Sequence, residues 1–193
     1  RWGHAFWAYI GARYGDRTNS VTSLTLREGS RSFGGELNLS ATGYGAFVEG
    51  PMGANGTYLL GVRRSYLDLV FKAAGFGFIP AYTDLTFKAT QKLGSRATLS
   101  VLTIGALDDV SFNNETADNR YDNSRVVAND QQQYFSGITF KRVLTRGVLD
   151  VTLGRTWTRY NTLQNDSLSP PTPIFRANTT EGEQMLRADV KLE

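Results

Sequence analysis

Cysteine is absent from the 193 residues, which excludes a disulfide framework and any thiolate metal site. Histidine occurs once, at His4, and leaves no Ser/His/Asp set and no zinc centre to assemble. No stretch of about 20 apolar residues is present, so no helix of this chain can span a bilayer. Barrel strands escape that test, because they need only about 9–11 residues and are half polar. An excess of one charge is missing too. The 21 Lys and Arg face 18 Asp and Glu, for a formal net charge of +3, and no dense basic cluster is there to track a nucleic-acid backbone. Gly43-Tyr44-Gly45 and Gly75-Phe76-Gly77 lead into no helical pattern and are not phosphate loops. No secretory signal is read at Arg1-Trp2-Gly3. With no catalytic grouping and no cofactor motif, the chain is not expected to be an enzyme.

Alternation is what the chain has in abundance. Aromatic residues make up 12% and glycine numbers 20, a composition suited to strands and tight turns. In the stretch 33–40, Phe33, Leu37 and Leu39 fall on one parity and Glu36, Asn38 and Ser40 on the other. A strand throws successive side chains to opposite faces, so one face is oily and the other wet. The pattern recurs in Leu85, Phe87 and Ala89 against Tyr82, Asp84, Thr86, Lys88 and Thr90. It returns in Tyr134, Ile138 and Phe140, and in Leu149, Val151 and Leu153 against Asp150, Thr152 and Thr156. Its cleanest form is Leu186, Ala188, Val190 and Leu192 against Arg187, Asp189 and Lys191. Strands are expected over 33–41, 44–49, 57–67, 81–92, 96–107, 131–143, 148–160 and 183–193, with a shorter one over 21–26 and no helix to cover the oily face.

The connections alternate between two lengths. Residues 50–56, with Asn55-Gly56 as a hairpin dipeptide, and the turns at 93–95 and 144–147 are short. Residues 68–80, 108–130 and 161–182 read as longer loops. Short turns at one end and long loops at the other are the layout of an outer-membrane barrel, where a lipid-facing apolar side and a wet lumen give both strand faces a home. On pattern alone, a soluble antiparallel sandwich or a lipocalin-like barrel remains the other reading. Tyr82, Asp84, Lys88, Arg187, Asp189 and Lys191 are the candidates to face a lumen or a plug. In the long polar loop, Asp108, Asp109, Asn113, Asn114, Asp118 and Asp122 are the candidates to meet a ligand from outside. They carry oxygen ligands but lack the spacing and glycine of a calcium loop, so no metal site is assigned.

Several pieces resemble one family as an ordered set. They are Ala12-Arg13-Tyr14-Gly15-Asp16-Arg17-Thr18-Asn19-Ser20-Val21, Leu26-Arg27-Glu28-Gly29, Phe33-Gly34-Gly35, Glu49-Gly50-Pro51-Met52-Gly53 and Gly61-Val62-Arg63-Arg64-Ser65-Tyr66-Leu67-Asp68-Leu69. In order and spacing they resemble TonB-dependent outer-membrane receptors, most of all the Bacteroidota-type branch. Tyr82-Thr83-Asp84-Leu85 with Lys88 is similar to the next strand of such receptors. The resemblance implies an all-β chain in which residues 1–31 are the tail of a plug domain and residues 32–193 begin a transmembrane antiparallel β-barrel. The eight strands would be the first of about 22 around a plugged lumen. It implies import of a scarce nutrient of the siderophore, cobalamin, glycan or peptide class across the outer membrane of a Gram-negative-type cell. It also implies contact with outer-membrane lipid and lipopolysaccharide, coupling to the TonB complex through an N-terminal segment outside this stretch, and no cofactor.

Two departures accompany the resemblance. The stretch is short for a whole receptor and closes on Leu192-Glu193 rather than on an aromatic residue, so a piece of a longer protein is expected. Arg63 shares parity with Leu59 and Leu67, which puts it on the expected lipid side unless a bulge at Arg63-Arg64 or a position near the headgroups intervenes. The alternative function is that of a complete, small eight-stranded barrel with a structural or adhesive role.

Overall fold

The computed structural model describes Ala8, Tyr9, Val21, Thr22 and residues 26–192. Two short strands, β1 (Ala8–Tyr9) and β2 (Val21–Thr22), pair antiparallel. The strand expected over 21–26 is represented by β2. His4 and most of the expected plug tail lie outside the described residues. The other eight strands form one antiparallel sheet, each hydrogen-bonded to its neighbour in sequence. They are β3 (Gly34–Leu39), β4 (Gly43–Met52), β5 (Gly56–Ser65), β6 (Phe78–Leu93), β7 (Ala97–Phe112), β8 (Ala128–Leu144), β9 (Gly147–Asn165) and β10 (Pro173–Lys191). The sheet is not closed, since β3 and β10 are its unpaired edges.

Three short connections, residues 53–55, 94–96 and 145–146, gather at one end of the sheet, while a fourth, residues 40–42 between β3 and β4, lies at the other. The hairpin before β5 turns on Gly53 at φ 64°, and Gly94 holds φ 74°, a region open to glycine at little cost. Asn55-Gly56 is therefore not the turn pair expected from the sequence, and Gly56 already belongs to β5. At the other end, the expectation of no helix is overturned twice. Helix α1 (Leu67–Ala73) follows β5, with Asp68 in its first turn and Lys72 in its last, both suited to the helix dipole. Helix α2 (Ala117–Ser124) follows β7, and its N-cap Thr116 accepts a hydrogen bond from the Asn119 N–H at 3.1 Å.

The long loops are shorter than the sequence suggests. Strand β7 runs on to Phe112 and β8 starts at Ala128, while β9 reaches Asn165 and β10 begins at Pro173. Polar residues at these strand tops have the composition of a loop, yet their backbones stay paired with the neighbouring strand, Asp108 with Gln131 and Asn161 with Asn178. Composition reports solvation, and a strand that rises clear of a packed layer is as well solvated as a loop.

Register sorts the side chains. On one face lie Leu37, Leu39, Tyr44, Ala46, Val48, Leu60, Val62, Leu85, Phe87, Leu99, Val101, Ile138, Phe140, Leu149, Val151, Leu153, Leu186, Ala188 and Val190, joined strand to strand by direct pairing. The opposite face carries Glu36, Glu49, Arg63, Asp84, Lys88, Lys141, Asp150, Arg187, Asp189 and Lys191. Among the described residues, none lies over the apolar face, and only residues 26–32 lie over part of the polar one. Among the described residues the buried apolar side chains are Leu59, Ile79, Ala89 and Ala128 alone, whereas Leu37 is 87% and Leu186 74% exposed.

Candidate functional site

The polar face holds the denser chemistry, and it is organised by residues 26–32, which lie against β4–β6. Arg27 reaches Glu49 with two nitrogens, at 2.5 and 3.0 Å. The same carboxylate accepts from the Ser30 backbone N–H at 2.9 Å. The Glu49 hydrogen bond is the main reason the Arg27 guanidinium sits above its ordinary pKa. Lys88 donates to the Leu26 carbonyl. Between Glu49 and Lys88 on the same row sits Leu59, paired with both and 3% exposed. Gly29 passes so close to the Tyr58 backbone that a Cβ there would fall on its carbonyl group. Only glycine permits that approach.

A second clasp forms further up. Arg63 donates through Nε and Nη2 to one Asp84 oxygen, at 2.8 and 2.5 Å, and lies 5.3 Å from the centre of the Tyr82 ring. The Tyr82 N–H donates to the buried Ser65 hydroxyl at 2.9 Å, and the Tyr66 hydroxyl donates to the Ser40 carbonyl. The expectation that Arg63 lies on the oily side is thus overturned. Its shared parity with Leu59 is real, but Leu59 belongs to the wet face and is buried there between Glu49 and Lys88, while Leu67 is in α1. One apolar side chain on the wet face mimics a marker of the oily face.

Of the six candidates for the wet side, Tyr82, Asp84 and Lys88 lie on the polar face of β6, and Arg187, Asp189 and Lys191 on that of β10. Among the described residues, Lys88 is the one of the six that hydrogen-bonds the segment preceding β3. Arg187 pairs with Asp189 on its own strand, with Nε to Oδ2 at 2.6 Å. Lys141, Asp150 and Asp189 share one cross-strand row.

The six outer-loop candidates do not converge. Asp108 and Asp109 are consecutive in β7 and point to opposite faces. Asn113 and Asn114 are occupied structurally: buried Asn123 donates to the Asn113 carbonyl at 3.0 Å and to the Asn114 side chain at 2.8 Å. Asp118 and Asp122 are on α2. Among the described residues no three acidic or histidine side chains gather as a metal site. The Gln164 side chain donates to the Ser124 carbonyl at 2.9 Å, which ties the α2 loop to β9.

The apolar face forms a band with a definite upper border. Tyr134 and Trp157 stack there with ring centroids 5.7 Å apart. The border slips along the hydrogen-bonded rows, from Leu39 and Tyr44 on β3 and β4, through Val62, Leu85, Tyr134 and Trp157, to Leu186 on β10; Leu107 stands one row above it, and Ile79 and Leu163 stand higher on β6 and β9. The band therefore crosses the strands obliquely.

Sequence reasoning missed Arg27, Ser30 and Glu49 as one unit, although Arg27-Glu28-Gly29 and Glu49-Gly50-Pro51 stood out as separate pieces. The signal available was that both motifs place a charge beside a glycine. No protein-family model, no curated protein and no solved structure matches this chain.

Proposed function

We propose that this sheet is part of the wall of a TonB-dependent outer-membrane transporter, with residues 26–31 as the last of its plug, and that the whole protein imports a scarce nutrient. The observation that carries the reading is the two-faced sheet. An apolar band, crossed on β8–β10 by the row Ser136, Arg155 and Gln184, is left uncovered by the described residues, while the charged face is gripped by the segment that precedes the first strand. In water such a band would be an aggregation surface, since soluble monomers rarely expose apolar patches beyond a few hundred Å2. In hydrocarbon it is satisfied. The oblique course of the band supports the same reading, because barrel strands tilt by about 35–45° from the membrane normal. Aromatic Tyr44, Tyr134 and Trp157 at its upper border fit the girdle of such a wall. The unpaired β3 and β10 favour a wall continued by further strands over a complete eight-stranded barrel.

This stretch has no cysteine, so single-cysteine labelling gives a clean test once any cysteine elsewhere in the full-length protein is replaced by serine. In envelope membranes holding the full-length protein, Val151→Cys is expected to react with a lipid-soluble probe and to resist a water-soluble maleimide. Thr152→Cys, on the other face, should show the reverse preference. Free reaction of Val151→Cys with the water-soluble reagent would overturn the membrane reading. Deletion of the gene should abolish uptake of its nutrient from the four classes, and unchanged uptake of all four would overturn the transport role.

A further inference from the structure

Three arginines gather at the turn end of the sheet. Arg96 is in the turn between β6 and β7, Arg142 is on β8, and Arg146 is in the turn between β8 and β9. The Val143 N–H donates to the Arg96 carbonyl at 2.8 Å, which holds the two turns side by side. With Val143, Leu144 and Leu192, the arginines line an open groove of about 530 Å3. A second hollow of about 430 Å3 continues from Arg96 and Arg142 along Leu93, Ala97 and Phe140. Arg142 pairs with Ala97 and Leu149, so it stands on the apolar face at its lower border. Unlike Arg27, Arg63 and Arg64, none of these three guanidiniums holds a carboxylate among the described residues.

We propose that this groove seats the headgroup of an anionic glycerophospholipid of the phosphatidylglycerol class, with an acyl chain laid along Leu93, Ala97 and Phe140. The inference rests on the membrane reading above and adds to it a lipid class and the residues that hold it. A guanidinium fork matches the oxygens of a phosphate two at a time. Three such groups at the mouth favour a net negative headgroup over one that carries its own ammonium. A free phosphate would satisfy the arginines and leave the apolar wall bare, whereas a lipid occupies both. The position fits as well, because the arginines stand where the oily face ends and headgroups begin.

The test uses the full-length protein, reconstituted in bilayers of phosphatidylcholine mixed with phosphatidylglycerol, with co-purified lipid identified by native mass spectrometry. The wild type is expected to retain phosphatidylglycerol over phosphatidylcholine by about tenfold. R96Q/R142Q/R146Q should bring that ratio near unity, while Arg159→Gln at the opposite end leaves it unchanged. Should the triple variant fail to insert, Arg142→Gln alone, at an exposed position, is expected to lower the ratio by about threefold. Equal retention of the two lipids by the wild type, or an unchanged ratio in the arginine variants, would overturn the proposal. So would complete displacement of the lipid by glycerol phosphate at equal concentration, which would assign the groove to free phosphate. Absence of insertion into any bilayer sinks the membrane reading and this site together, whereas insertion without lipid preference sinks the site alone.

Discussion

The sheet has one region its own chain covers and one it leaves bare. Around β4–β6, residues 26–32 are held on the polar face by Glu49 and Lys88, and Leu59 between those two is 3% exposed, with Thr57 and Thr90 buried beside it. At β9–β10 no described residue covers either face: Leu186 and Val190 are exposed on one, and Arg187 and Lys191 on the other. The strands alternate equally well in both regions. Alternation alone therefore does not say whether the wet side meets water or protein. What separates the regions is whether groups that can hold a passing backbone, here Glu49 and Lys88, meet a segment with donors and carbonyls to offer.

The largest effect that would sharpen this contrast concerns the band. Val151→Arg should destabilise the protein folded in a bilayer by about 2–4 kcal/mol, while Thr152→Arg on the other face should cost far less. Equilibrium denaturant titration in vesicles measures both, and equal costs would mean the two faces share one environment. Next comes the covered region. Leu59→Ala should cost about 2–4 kcal/mol by emptying a buried site, against less than about 1 kcal/mol for the exposed Leu186→Ala. If Leu186→Ala proved the more damaging, the bare region would have a packed partner.

Smaller effects follow at the clasps. Glu49→Ala removes both the Arg27 pair and the acceptor for the Ser30 N–H, so residues 26–32 should loosen. Limited trypsin digestion should then cut after Arg27 or Arg31 faster than in the wild type, and an unchanged rate would show that Lys88 and the Gly29 approach hold the segment unaided. Smallest of all, Asp84→Asn should cost under about 1 kcal/mol, because the Arg63 side chain is 64% exposed and its pair is well screened. A larger loss would place that pair in a drier setting than the open sheet provides.

Legibility from the sequence followed the range of each interaction. The parity of β6, β8, β9 and β10 is local, and Leu186, Ala188 and Val190 do share a face opposite Arg187, Asp189 and Lys191. Asp108-Asp109 and residues 161–165 read as loop because polar strand tops and loops are solvated alike, and α1 and α2 are too short to set up a visible period. Parity misplaces Arg63 because the two residues that mark the oily face for it, Leu59 and Leu67, belong to the wet face and to α1 respectively.

By itself the sequence determined an all-β chain with two unlike faces and turns at regular intervals, since strand period and turn chemistry depend on neighbours a few residues apart. The tertiary structure decided which apolar residue is covered, that Arg27 meets Glu49 and Arg63 meets Asp84, and that three arginines from β8 and two turns line one groove. Those meetings join positions far apart along the chain, and only the register of paired strands brings them within reach.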